Sequence, residues 1–267
     1  MAETIAESWL HLQELLFVDS WNPTIKRFRS NYAFRGVNRK EHKLATSLMR
    51  MGRPYPNMER NLLKQFQKYA HQHVVERDTE WHWLSIAQHH GLPTRLLDWT
   101  YSPYVALHFA TSSVPDFDAD GAVWMVNHAE AHSLLQNSER QELRKLGSNV
   151  FSMETLTASF DGVDDLDSRH ADSYDCAVFF EPPTIDDRII NQFAYFSVLS
   201  NPNLALDDWL VAPGVAGRVK FSKIIIPASI KWEIRDKLDQ ANINERVLFR
   251  GLDGLCVWLK RHYTPVP

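Results

Sequence analysis

Three clusters of polar and ionisable side chains stand where apolar runs end. The first is Arg35-Gly36, behind Tyr32-Ala33-Phe34. The second is the stretch Gln88-His89-His90-Gly91-Leu92-Pro93-Thr94-Arg95-Leu96-Leu97-Asp98-Trp99-Thr100, continued by Tyr101-Ser102-Pro103. The third is Arg188 with Gln192, just after Asp186-Asp187. An arginine at a strand end can grip a phosphate or carboxylate through two parallel hydrogen bonds. A structural ion pair is the other use of the same residue. His89 and His90 beside Asp98 could take and return a proton near neutral pH. They could equally satisfy buried backbone groups, and Asp98 could cap a turn or pair with Arg95. His71 and His73 invite a metal, but a helix turns residues two apart to different faces. With neither His-Glu-x-x-His nor Cys-x-x-Cys in the chain, no metal is assigned. Asp116, Asp118 and Asp120 lack the spacing and closing glutamate of a calcium loop and read as a solvated hairpin.

These residues need carriers. Tyr32–Val37 reads as a strand ending in a tight turn, and residues 95–100 as a short strand after a Gly-x-Pro break. Ser102-Pro103 opens a helix with Val105, Ala106 and Phe109 on one face. An aspartate caps a short helix or turn over residues 186–192, and 193–198 alternates as a strand. Further strands are expected at 122–126, 177–180 and 223–226. Helices are expected at 5–18, 58–77, 230–240 and 252–260. Residues 128–175 are charged and broken, with one helix near 129–146, and read as an insertion or a mobile, substrate-facing segment. Short strands mixed with helices, without regular alternation, give an α+β fold.

With 267 residues and 44% hydrophobic content, the chain can bury a large core. The net charge of −4 argues against a surface dominated by positive charge, though not against a local basic groove. Cys176 and Cys256 lie far apart among apolar neighbours and read as reduced core residues. No basic stretch followed by an apolar run opens the sequence, and no segment reaches the roughly 20 apolar residues that span a bilayer. A soluble, cytoplasmic protein with no membrane partner is the expectation. The absence of Gly-x-x-x-x-Gly-Lys, Gly-x-Gly-x-x-Gly and Gly-x-Ser-x-Gly removes support for P-loop kinases, Rossmann dehydrogenases and α/β-hydrolases.

The three clusters together resemble the FRG domain family. Phe34-Arg35-Gly36 is similar to its first signature, and Gln88 to Thr100 with Ser102-Pro103 and Ala106-Leu107-x-Phe109-Ala110 to its second. Arg188-Ile189-x-x-Gln192-x-x-x-Phe196 is similar to its third. Lys223–Pro227 and Leu252-Asp253-Gly254-Leu255 also fit, and Ala194 departs from an expected glycine. The signatures follow the order seen in ADP-ribosyltransferases, with Val105-Ala106-Leu107-His108-Phe109-Ala110 similar to the helix after their second strand. The resemblance implies an ADP-ribosyltransferase-like mixed β core with surrounding helices over residues 31–267, behind an N-terminal helical extension at 1–30.

The same resemblance implies NAD as substrate. Arg35, Gly36, Thr94, Arg95, Thr100, Ser102 and Arg188 would bind it, and Arg35, Gln192, His89 and Asp98 would serve catalysis. A glutamate is usual in the third motif; Gln192 stands there instead, and Glu181 is an alternative carboxylate nearby. FRG-like proteins resemble components of toxin–antitoxin and phage-defence systems. The acceptor would then be a nucleic acid, with RNA favoured, or a protein, and an antitoxin could be a partner. A nucleic-acid-directed hydrolase using His89, His90 and Asp98, and a non-catalytic nucleotide-binding module, remain open beside this reading.

Overall fold

A computed structural model describes residues 3–52, 58–70, 79–170, 175–249 and 251–265. Among the described residues, nine strands run in chain order: β1 (Glu3–Ile5), β2 (Trp21–Asn22), β3 (Arg27–Phe28), β4 (Tyr32–Val37), β5 (Leu97–Thr100), β6 (Gly121–Asn127), β7 (Ala177–Phe180), β8 (Ala194–Leu199) and β9 (Phe221–Ile226). Seven of them form one sheet in the order β1-β9-β6-β4-β5-β8-β7, and β2 and β3 make a separate hairpin. Within the sheet only β1 and β9 pair in parallel; the other neighbours are antiparallel. The helices that bear on the site are α1 (Trp9–Leu16), α2 (Met58–Ala70), α3 (Glu80–His89), α4 (Pro103–Ala110), α5 (Asp187–Gln192), α6 (Lys231–Gln240), α7 (Glu245–Leu248) and α8 (Leu252–His262). Mixed helices around a mostly antiparallel sheet agree with the α+β expectation. Among the described residues, no helix is long and apolar enough to cross a membrane.

Period-two alternation sorts the strand residues onto two faces. Ala33, Val37, Leu97, Trp99, Trp124, Ala177 and Phe179 enter one continuous core that runs beneath the sheet from β9 to β7. The opposite face carries two cores. Tyr32, Phe34, Val123, Met125, Ile224 and Ile226 pack with residues of α1, α4 and α6. Val178, Phe180, Phe196 and Val198 pack with residues of α2 and α3 and of the 128–175 segment. The boundary between these two cores falls at β4 and β5. There the sheet is thinnest: β4 pairs with β6 along six residues, but with β5 through Phe34 and Thr100 alone.

Several expectations are corrected. The first 30 residues are not only helical. Glu3–Ile5 adds a strand to the sheet edge, and residues 21–28 form the small hairpin. Residues 128–175 are not a loose insertion. Within the described part they form helices at His128–Ser133, Asn137–Lys145, Met153–Ser159 and Val163–His170, and bury Leu135, Leu143, Phe151, Leu156, Phe160 and Leu166. The single helix expected at 129–146 breaks between Ser133 and Asn137, and its apolar positions are spread over short helices that periodicity reads poorly. Cys176 is buried as expected, whereas Cys256 lies on the outward side of α8 and is exposed. The helix expected at 58–77 is seen as Met58–Ala70; residues 71–78, with His71 and His73, lie outside the described residues.

Candidate functional site

At the thin point of the sheet a cleft of about 580 Å³ opens. Its lining draws on all three polar clusters: Arg35 and Gly36 from β4; His89 from α3 and Asp98 and Thr100 from β5; Arg188 and Gln192 from α5. Local chemistry sets each carrier. The Ser102 hydroxyl accepts the Val105 N–H and Pro103 fills the first helical position, so α4 begins where the sequence places it. Asp186 caps α5 by accepting from the N–H groups of Arg188 and Ile189. Phe193 ends α5 in the left-handed region, at φ 50°, before β8 starts. This conformation costs a residue with a Cβ free energy, and it falls one residue before Ala194, where a glycine is the expectation.

Arg35 crosses the gap between β4 and β5. Its Nη1 donates to the Asp98 backbone carbonyl and lies 3.7 Å from the Asp98 carboxylate. Its Nε is buried with no partner. Burial pushes the Arg35 pKa down, the charge of Arg50 adds to this, and Asp98 only partly opposes it. Asp98 is shared: Gln88 Nε2 donates to its Oδ2 at 2.9 Å, and the Thr94 hydroxyl donates to Gln88 Oε1 at 2.6 Å. A relay of hydrogen bonds thus runs from Thr94 through Gln88 to Asp98. On the far wall, His89 Nε2 sits 2.8 Å from Asp186 Oδ2. Burial works against the Asp186 carboxylate, yet His89 and the helix N–H groups hold its pKa below the ordinary range. Burial, and then the neighbouring His89, hold His90 below the usual imidazole value.

Thr100 Oγ1 accepts the Ser102 N–H, which leaves its own proton to donate. Gln192 Nε2 donates to the Leu248 carbonyl at 3.1 Å, which leaves its amide oxygen to accept. Arg188 lies over the Phe249 ring, 5.1 Å from its centre. The arrangement can therefore hold an anion with two guanidinium groups and grip hydroxyls with a donor and an acceptor. It can also move a proton through a histidine–carboxylate pair.

Residues 30–119 match the FRG domain. The FRG match takes in β4, β5, α4 and the whole second cluster, and ends before Arg188 and Gln192. No curated protein and no solved structure matches the chain.

Within the matched segment and beyond it, the structure places several residues elsewhere than expected. Arg95 is not in the cleft. Its Nε donates to Glu59 at 2.6 Å and its Nη1 to both oxygens of Asp167 at 2.8 and 2.9 Å, so it binds β5 to α2 and to the helix at 163–170. It does not pair with Asp98, whose partners are Arg35 and Gln88. Thr94 and Ser102 do not line the cleft; the first feeds the Gln88 relay and the second caps α4. Gly36 touches the cleft, but its lack of a side chain answers to packing: a Cβ there would strike the Ala106 carbonyl oxygen and lie 2.6 Å from the Ala110 nitrogen. Glu181 is outside the lining, and burial raises its pKa. Gln88, Ser47, Phe109 and Ile189 line the cleft although sequence reasoning gives them no role there. Gln88 has a readable signal, as the residue that opens the second cluster. Among the described residues, no group of three or more His, Cys, Asp or Glu could hold a metal ion.

Proposed function

We propose that the cleft binds NAD and that the protein is an NAD-dependent ADP-ribosyltransferase with an ADP-ribosyltransferase-like core. The observation that carries the reading is Arg35: a partly buried cation with a buried, unpartnered Nε, set at the split in the sheet in a cleft that Thr100 and Gln192 also line. Arg35 and Arg188 would hold the pyrophosphate. The Thr100 hydroxyl would donate to the nicotinamide ribose, and the Gln192 amide oxygen would accept from it. In the step itself, the bond from ribose C1′ to the nicotinamide nitrogen breaks, and its electron pair neutralises the pyridinium. Nicotinamide leaves, and a lone pair of the acceptor forms the new bond to C1′. The acceptor proton passes to His89 or Asp98 and then to water. An amide takes no proton at neutral pH, so Gln192 orients rather than acts as base. Positive charge that develops on the ribose is favoured by fixed dipoles around it.

The acceptor in this reading is a nucleic acid, RNA before DNA, or a protein, and the setting is a toxin of a toxin–antitoxin or phage-defence system. Purified protein incubated with labelled NAD and cell lysate should release nicotinamide and carry label into one macromolecular fraction. Arg35→Ala and Gln192→Ala should abolish both the labelling and any growth arrest on expression. Full labelling by either variant would sink the site assignment.

The His89–Asp186 pair favours a second reading, a hydrolase acting on nucleic acid. Cleavage of RNA or DNA without NAD, lost in His89→Ala, would select it.

A further inference from the structure

We propose that the C-terminal helices are part of the cleft: they fix Gln192 as a hydrogen-bond acceptor, and Glu245 is the residue that positions them. What Gln192 touches rests on the NAD reading above; how it is held does not.

α7 has four residues, so its last carbonyls lack partners within the helix. Two successive side chains of α5 supply them: Asn191 Nδ2 donates to Val247 O and Gln192 Nε2 to Leu248 O, both at 3.1 Å. A carbonyl oxygen only accepts. The NH₂ end of Gln192 must face Leu248, and the amide oxygen is what remains for the cleft. A glutamate at this position would set carboxylate oxygen against carbonyl oxygen. An amide rather than a carboxylate at 192 is thus matched by a carbonyl 56 residues further along the chain.

α7 is itself pinned. Its first residue, Glu245, is buried between two arginines. Arg235 of α6 approaches both its oxygens at 3.2 Å; Arg261 of α8 donates from Nε at 2.8 Å and from Nη2 at 2.9 Å. Arg261 also reaches Asp239 at 2.6 Å. Gly254 lets α8 approach α7, since a Cβ there would lie 2.7 Å from the Glu245 carbonyl oxygen. Arg235 in turn donates to His108 Nδ1 at 2.8 Å, which ties the unit to α4. Phe249, just beyond α7, lies under Arg188. Five helices meet in this network: α4, α6, α7 and α8 through Arg235 and Glu245, and α5 through the carbonyls of Val247 and Leu248.

The first test needs no ligand. Thermal unfolding midpoints of wild type, Gln192→Glu and Gln192→Met are compared from about pH 4 to pH 8. At the acid end the carboxyl introduced by Gln192→Glu is protonated and can donate to Leu248, so this variant should melt near wild type. The carbonyl raises the folded pKa of that carboxyl, so the variant should fall progressively below wild type as pH rises through that pKa. Gln192→Met should show an offset that does not change with pH. In a Glu245→Gln background the pH-dependent gap should shrink, because the Leu248 carbonyl is no longer held in place. Arg261→Lys serves the same purpose if Glu245→Gln does not fold. A gap that is flat with pH, or one unchanged in both backgrounds, would overturn the proposal.

NAD binding by calorimetry is the second arm. Glu245→Gln and Gln192→Met should each weaken it by about tenfold, the loss of one hydrogen bond, and the double variant no further. Wild-type affinity in a folded Glu245→Gln protein would overturn the proposal as well. Failure of wild type itself to bind NAD would sink the NAD reading and leave the melting result to decide how Gln192 is held.

Discussion

Two arginines sixty residues apart look alike in sequence and are used in opposite ways. Both stand in the segment that matches the FRG domain, Arg35 within β4 and Arg95 just before β5. Arg95 is 7% exposed and meets two carboxylates, Glu59 and Asp167, with short, well-directed bonds. Arg35 is 19% exposed, donates to one backbone carbonyl, stands 3.7 Å from its nearest carboxylate and leaves Nε unpartnered. Burial depresses the pKa of Arg35, whereas the two carboxylates outweigh burial and raise that of Arg95. A satisfied buried cation belongs to the scaffold. A partly buried cation kept short of partners is a place for an anion from outside.

The comparison can be broken most sharply by truncating each arginine. Arg95→Met leaves Glu59 and Asp167 without their cation and should cost ~3–5 kcal/mol in urea unfolding. Arg35→Met should leave stability within about 1 kcal/mol of wild type, yet lower kcat/KM for nicotinamide release by about tenfold to 100-fold, as loss of a charged hydrogen bond to the pyrophosphate does. The reverse pattern would exchange the roles of the two residues.

Acid should act on the scaffold before it acts on the cleft arginines. His108 and His132 are held down at about 3 and His128 at about 4, in each case chiefly by burial. His132 shows how a buried imidazole is kept neutral. Its Nδ1 donates to the Asn149 carbonyl at 2.9 Å, and its Nε2 accepts the Phe179 N–H at 2.8 Å. These groups bind fewer protons folded than unfolded. The stability they contribute is fully present above about pH 6.5 and is lost as pH falls toward 4. Melting temperature should drop over that window, and more shallowly in His132→Asn. A flat profile would contradict the burial.

The smallest effect should come from the relay. Thr94→Val removes the hydroxyl that holds Gln88 and should cost ~1 kcal/mol of stability. It should weaken NAD binding only a few-fold, since Thr94 lies behind the cleft wall. A loss as large as that of Arg35→Met would return Thr94 to the ligand.

The parts legible in the sequence are those with local causes. β4 matches the expected strand at 32–37, and α4 begins at the Ser102-Pro103 cap because both signals act over one turn. The gathering of Arg35, Asp98, Thr100, Arg188 and Gln192 in one cleft also follows the motif order. What cannot be read depends on distant partners. Nothing near Arg95 announces Glu59 or Asp167. Nothing near Gln192 announces Leu248. The aspartates at 116 and 120 are bound to Arg39 and Lys40, about 80 residues earlier, rather than forming an open loop. The 128–175 segment looks loose in sequence because its apolar residues serve a core built jointly with α2, α3 and β7.

The single bridge between β4 and β5 has a mechanical consequence. Beyond Phe34 and Thr100, the backbone ladder between β4 and β5 gives way to one stitch, the Arg35 side chain bonded to the Asp98 carbonyl, while α4 and the shared core hold the two halves together. An anion that draws the guanidinium away takes that stitch out. A ligand for Arg35 therefore competes with a bond of the sheet itself, and any anion held there trades against the β4–β5 contact.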